Sequence, residues 1–165
     1  MARIPPLEIA IAVAVIGIDQ ITKAIVRSRM ELYETIPVVP GFFDLTRVHN
    51  TGAAFGMLDG TDFPFKTVVM SLVAAAALAG LVLYALSLGA EHRLTRIGLA
   101  FVLGGAAGNL IDRLATGYVL DFFDFYVRGW HFWAFNIADA AITVGVVLMI
   151  LDMLGVGRFR VSRAV

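Results

Sequence analysis

The sequence predicts an all-α membrane protein of four transmembrane helices. A small β-rich extramembrane segment is expected between helices 1 and 2, and an interfacial loop or short helix between helices 3 and 4. Three observations carry this reading. Hydrophobic residues make up 59% of the 165-residue chain and the mean hydropathy is +0.85, against roughly 45–50% apolar usage in soluble domains. Four stretches, about 7–26, 68–88, 94–114 and 132–151, reach the ~20 residues a helix needs to cross a ~30 Å hydrocarbon core. Three of the four carry ionisable residues within or beside the apolar run, and that asymmetry locates the chemistry. The chain 1–165 reads as a single integral-membrane domain.

In the first span the apolar run leads into Asp19-Gln20 and then Lys23 rather than into a small-x-small cleavage site, so it reads as a retained anchor. Asp19 and Lys23 stand at i, i+4 and form a compensating intrahelical ion pair. Between about 28 and 65, Pro37, Pro40, Gly41 and Gly52 punctuate short β-prone stretches such as Phe42–Val48, which predicts a small sheet on the membrane surface. The second span holds no charged residue from Val68 to Leu88 and reads as scaffold. In the third, Gly104 and Gly108 form a small-xxx-small pattern that admits a close helix neighbour. Asn109 and Arg113 share a face there, to orient a carboxylate or substrate carbonyl, or to let Arg113 snorkel to headgroups. Around the 115–131 segment, Tyr118, Tyr126, Trp130 and Trp133 make the aromatic belt of a headgroup boundary.

The charges exclude some functions. Thirteen basic and thirteen acidic residues cancel, with no basic run, so nucleic acid is not an expected partner. The absence of cysteine excludes a disulfide framework, a thiol nucleophile and a Cys-ligated metal, and it means that the chain is not itself a lipoprotein. Four spans put both termini on one side, and Arg158, Arg160 and Arg163, with no acid after Asp152, favour the cytoplasm. Arg3, Arg93 and Arg96 join them, but Lys23, Arg27, Arg29, Arg47, Lys66, Arg113 and Arg128 lie opposite, so counting alone does not decide orientation.

An ionised carboxylate in hydrocarbon costs several kcal/mol, so each intramembrane acid needs a partner, a wet cleft or a function. Asp139 lies one turn after Asn136; in the bland reading Asn136 caps the helix and Asp139 occupies its first turn. Asp121, 18 residues earlier in Val119-Leu120-Asp121-Phe122-Phe123, is flanked by large apolar groups, an odd setting for a solvated loop acid. Two carboxyls in a poorly hydrated cleft do not both ionise readily, so such a pair acts as base and acid at once. That is aspartic-peptidase chemistry: one member draws a proton from water and the other supports the oxyanion. On spacing alone Asp112 and Asp124 remain rival partners for Asp139. Asn50-Thr51-Gly52 only superficially resembles the Asp-Thr-Gly of soluble aspartic proteases; it reads as a turn or as an amide over the cleft. His49, His92 and His131 lack metal-ligand spacing, and Ser71 and Ser87 lie in the acid-free span, so zinc and serine chemistry have little support.

Five blocks in order, Asp19-Gln20-x-x-Lys23, Asn50-Thr51-Gly52-Ala53-Ala54-Phe55-Gly56, Gly104-Gly105-x-x-Gly108-Asn109-x-x-Asp112-Arg113, Val119-x-Asp121-Phe122 and Phe135-Asn136-x-Ala138-Asp139, are similar to the signature blocks of signal peptidase II. The resemblance covers almost the whole chain. It implies a bacterial inner-membrane enzyme with both termini cytoplasmic and its active site toward the periplasmic face. Such an enzyme cleaves signal peptides from prolipoproteins just before a cysteine carrying S-linked diacylglycerol. Asp121 and Asp139 match the catalytic aspartates, and Asp19, Asn50, Asn109, Arg113 and Asn136 match the supporting polar set, with Lys23, Gly52, Gly108 and Ala138 inside the same blocks. No cofactor or metal is implied; the implied partners are the lipidated substrate and membrane lipid. The competing reading, a small proton-coupled transporter or channel component, expects acids strung along a path through the bilayer.

Overall fold

Helix ends are set by local chemistry. A computed structural model of the chain describes residues 5–52, 65–89 and 91–155. Ala53, Ala54, Phe55 and Gly56 of the second block, together with Arg3, Arg158, Arg160 and Arg163, lie outside the described residues. The first helix, α1 (Pro6–Arg29), opens on proline and carries Glu8 in its first turn and Arg27 and Arg29 in its last, all favourable to the helix dipole. α2 spans Lys66–Ser87. α3 (Arg93–Thr116) stops at Gly117, whose φ of 85° is left-handed and whose N–H bonds the Arg113 carbonyl, the αL cap that glycine permits. α4 (Ile137–Met153) begins with a capping box, the Asn136 side chain accepting from the Asp139 N–H while the Asp139 carboxylate accepts from the Asn136 N–H.

α3 is the central element, packed against α4, α1 and α2. Its contact with α4 is a backbone-to-backbone approach. A Cβ at Gly105 would collide with the Ala138 carbonyl, and Gly98 and Gly145 each face the other's carbonyl. Toward α1, Gly104 lies under Ala12 and Val15 and Gly108 under the Asp19 carboxylate. Small residues thus give α3 its close neighbours on two faces, the packing route open to helices that gain little from hydrophobicity in lipid. α1, α2 and α3 are long and apolar enough to cross a membrane; α4 has 17 residues, about 25 Å at 1.5 Å per residue.

The segment about 115–131 is neither loop nor short helix. It forms β3 (Val119–Val127) and β4 (Trp130–His131), which join β1 (Thr35–Val39) and β2 (Phe43–Asn50) in an antiparallel sheet of order β1-β2-β3-β4. The physical reason is tertiary: Leu120 and Phe122 are buried against Val26 and Met30 of α1, and β2 supplies the hydrogen-bonding partner about 70 residues away. The register opposes Val48 to Asp121 and Asp44 to Asp124. Helix 4 also starts later than the 132 expected, because residues before Ile137 stay extended: Phe135 exchanges backbone hydrogen bonds with Phe123. Trp130 and Trp133 remain largely exposed.

Close α3–α4 packing makes a direct prediction. Gly105→Ala should destabilise the protein by on the order of 1–3 kcal/mol, the usual cost of overpacking. Gly80→Ala, where nothing lies within 4 Å, should be neutral or slightly stabilising. Thermal unfolding in one detergent compares the two; equal melting temperatures would contradict the packing described.

Candidate active site

The site is assembled from α1, α3, α4, the end of β2 and β3, around a lysine with no solvent contact. Lys23 Nζ lies 2.9 Å from Asp19 Oδ2 and 2.9 Å from Asp112 Oδ2, and donates to Asn109 Oδ1 at 2.9 Å. Each partner then makes a second link. Asp19 Oδ1 accepts from the Ala138 N–H at 3.0 Å, tying α1 to the first turn of α4. Asp112 Oδ2 accepts from the Leu120 N–H at 3.1 Å, tying α3 to β3 one residue before Asp121. Asn109 Nδ2 donates to Asp139 Oδ1 at 2.8 Å. Gln20 adds hydrogen bonds to Asp19 and to the Gly108 carbonyl.

Asn136 holds both candidate acids. Its Nδ2 donates to Asp121 Oδ1 at 2.7 Å and also reaches Asn109 Oδ1 and the Leu120 carbonyl. Its backbone N–H donates to Asp139 Oδ2 at 3.2 Å. The two readings of this i, i+3 spacing are therefore compatible: Asn136 is the helix cap, and the capping geometry is what aims its side chain at Asp121. The other Asp121 oxygen accepts from Asn50 Nδ2 at 3.0 Å. Asn50 Oδ1 in turn accepts the Gly52 N–H at 2.9 Å, and Arg113 Nη2 donates to the Gly52 carbonyl at 3.0 Å. Arg113 thus reaches the Gly52 carbonyl, close enough to both acids for its charge to act on them.

Burial, and next the charge of Asp139, push the Asp121 carboxyl up to about 7, while the hydrogen bonds from Asn50 and Asn136 and the Lys23 charge pull the other way. A carboxyl with such a value exchanges its proton in the physiological range, which suits a group that must give and take a proton. The arrangement provides two acids, each hydrogen-bonded on fixed amides, with the positive charges of Lys23 and Arg113 nearby.

Asp19, Lys23, Asn50, Gly52, Gly108, Asn109, Arg113, Asn136 and Ala138 all meet in this cluster with Asp121 and Asp139. The rivals are placed elsewhere. Asp124 pairs with His131 at 2.9 Å, and Asp112 is engaged by Lys23. Sequence reasoning weighed Asp112 only as a rival acid and missed its structural link to β3; the signal was its i, i+3 spacing from Asn109, which puts both toward Lys23. Among the described residues, no group of three His, Cys, Asp or Glu is arranged to hold a metal ion.

A family model described as signal peptidase (SPase) II matches residues 11–155. The chain is 47% identical over 152 residues to the lipoprotein signal peptidase of Symbiobacterium thermophilum, covering 92% of this chain and 97% of the relative. It is 47% identical over 139 residues to that of Geobacter metallireducens, covering 83% of each. Two solved structures, each described as a bacterial membrane enzyme studied by the in meso method, have a similar fold. One superposes with a TM-score of 0.81 at 33% identity, covering 96% of this chain and 94% of its own. The other has a TM-score of 0.80 at 32% identity, covering 93% and 97%.

Two stability predictions follow from the geometry. Lys23→Met leaves Asp19 buried without its cation and Asp112 with only Arg27 Nη2, at 3.8 Å, and should cost about 3–5 kcal/mol, with part of the loss recovered in Lys23→Met/Asp112→Asn; denaturant unfolding reads both. Because the Asp121 value is raised on folding, its contribution to stability is complete below the ordinary aspartate range near pH 4 and is lost as the pH rises through about 7. Asp121→Asn should therefore gain in melting temperature over wild type between pH 5 and pH 8.5. A pH-independent difference would contradict the burial of this charge.

Proposed function

From the premise that this chain belongs to the signal peptidase II family and is a peptidase that removes signal peptides from prolipoproteins, we propose that it does so as an aspartic endopeptidase with Asp121 and Asp139 as its catalytic pair. The observation that carries the proposal is that one residue, Asn136, binds both carboxyls, through its side chain and its backbone N–H respectively. Family membership sets aside the transporter reading.

In this mechanism the pair shares one proton. The ionised carboxylate takes a proton from a water molecule, the oxygen attacks the scissile carbonyl, and the protonated carboxyl donates a hydrogen bond to the developing oxyanion. Collapse of the tetrahedral intermediate breaks the C–N bond as the leaving amine is protonated. The acids titrate jointly, so base and acid are not assigned to one each. Asn50, Asn109 and Asn136 fix the carboxyl orientations, and the rigid donors spare the reaction the cost of reorienting dipoles. Arg113, by holding the Gly52 carbonyl, positions the strand end that carries Asn50.

The substrate class we infer is a prolipoprotein whose cysteine already carries S-linked diacylglycerol, cut on the N-terminal side of that cysteine. A lipid-anchored scissile bond accounts for an acid pair lying between apolar helices and a surface sheet: the acyl chains stay in the bilayer and present the peptide bond at its boundary. In the same reading α4 is a fourth span, both termini are cytoplasmic in the bacterial inner membrane, and the sheet and the pair lie toward the periplasmic face.

The test is cleavage of a diacylglyceryl-modified prolipoprotein by purified protein in detergent, with folding checked for each variant. Asp121→Asn and Asp139→Asn should each lower kcat by about 10²–10⁴-fold or more, while Asp124→Asn stays near wild type. Normal cleavage by folded Asp121→Asn and Asp139→Asn would end the aspartic mechanism. The pH profile adds a sign. Activity should fall as the pH rises through about 7, where the second proton leaves. Asn50→Ala, which removes a hydrogen bond that holds Asp121 ionised, should move that limb to higher pH; a shift to lower pH would contradict the role given to Asn50.

A further inference from the structure

The first turn of α2 breaks three local rules at once. Lys66 places a positive charge at the positive end of the helix dipole, with no acid in that turn to offset it. The same residue is buried, at 7% exposure, although a desolvated ammonium is costly. Phe65 before it is left-handed, with φ 64° and ψ 18°, a conformation that a bulky side chain rarely adopts. Sequences tolerate such conflicts mainly where a functional demand outweighs them.

That turn seats α2 on its neighbours through two side chains. Lys66 Nζ donates to Thr51 Oγ1 at 3.0 Å, and Thr67 Oγ1 donates to the carbonyl of Gly117, the C-cap of α3, at 3.3 Å. Thr51 is the middle residue of the turn that follows β2. The turn is closed by Asn50, whose Oδ1 accepts the Gly52 N–H at 2.9 Å, while Arg113 Nη2 holds the Gly52 carbonyl at 3.0 Å. Two cations, one from α2 and one from α3, therefore grip adjacent residues. The consequence reaches Asp121. A carboxamide can present either its oxygen or its NH₂ to a neighbour. With Oδ1 committed to Gly52, Asn50 offers Nδ2, which donates to Asp121 Oδ2 at 3.0 Å. Were the Thr51-Gly52 backbone to relax, the amide would be free to turn and set its oxygen against the carboxylate.

We propose that Lys66 is a positioning residue for Asp121: by holding Thr51 it keeps the turn closed, and the closed turn keeps the Asn50 amide on the acid. This assignment rests on the reading of Asp121 as one of the catalytic pair. The route runs through the turn. Asp139 of α4 and Lys23 of α1 act on Asp121 by charge, as does Arg113 of α3, and all three stay in place when Lys66 is replaced.

The experiment follows prolipoprotein cleavage against pH for full-length Lys66→Met, Thr51→Val and the double variant, together with the infrared carboxyl band of ¹³C-labelled aspartate over the same range. Each single variant should lower kcat and kcat/KM equally, by about tenfold, the scale on which a misplaced group loses activity. The double variant should be no worse than either, because both cut one connection. The Asn50 hydrogen bond favours the ionised form of Asp121, so loosening it should carry the basic limb of the profile and the carboxyl band to higher pH. In an Asn50→Ala background Lys66→Met should add no further shift. Thr67→Val is the structural control: it cuts the neighbouring bond of the same turn and should lower the melting temperature while leaving the limb in place. Thr51→Val carries the test if Lys66→Met does not fold. An unmoved limb and band in the folded variant, additive losses in the double variant, or an equal shift in Thr67→Val would overturn the proposal. The catalytic reading falls separately, on normal cleavage by Asp121→Asn and Asp139→Asn, and the carboxyl band reads the hold on Asp121 even then.

Discussion

The Lys23 ammonium, fully enclosed, is the common partner of three groups that each belong to a different joint of the molecule. Asp19 carries its charge across to the Ala138 N–H and so to the start of α4; Asp112 carries it to the Leu120 N–H and so to β3; Asn109 passes it to Asp139. A lysine in this setting is tolerable only with its counter-charges in place, and the two aspartates depend on it in turn, Asp112 with more distant help from Arg27 at 3.8 Å. Each acid is therefore useful for what its second oxygen holds. Removing the cation would release the α4 N-terminus and the β3 strand together, the two elements that supply the proposed catalytic pair.

The pair itself stands one bond further out, and that distance matters. Were Lys23 in contact with both acids, they would be held ionised and unable to share a proton. Instead carboxamides intervene: Asn109 stands between Lys23 and Asp139, and Asn136 between Asn109 and Asp121. Amides fix geometry without fixing charge. Burial is then free to raise the Asp121 carboxyl to about 7, a value a directly paired aspartate would not reach. The glycines on α3 serve the same end by steric means, since Gly108 makes room for the Asp19 carboxylate and Gly105 lets the Ala138 backbone approach.

Much of this was legible in the sequence because it is local. Helix lengths follow from apolar runs, the Asp19–Lys23 pair from i, i+4 spacing, and the Asn136–Asp139 cap from i, i+3. The choice of Asp121 over Asp112 and Asp124 came from the resemblance, since spacing left all three open. What escaped was non-local. Val119–Val127 was expected as a loop or short helix because its pairing partner, β2, is distant in the chain and its aromatic residues also suit a membrane interface. Asp112 looked like a spare acid because its role lies in a bond to a backbone N–H on another element. The start of α4 at Ile137 rather than Phe132 follows from the backbone pairing of Phe135 with Phe123, a contact between segments that hydropathy does not register.

The central claim is that Asp121 and Asp139 share one proton beside a cluster in which Lys23 pairs with Asp19 and Asp112. Infrared difference spectroscopy of protein carrying ¹³C-labelled aspartate carboxyls, titrated through pH 7, reads that proton directly. The account predicts a protonated-carboxyl C=O band that persists above the ordinary aspartate range, titrates near pH 7 and disappears in Asp121→Asn. A spectrum with every aspartate ionised from pH 5 upward, or a band that survives unchanged in both Asp121→Asn and Asp139→Asn, would contradict it.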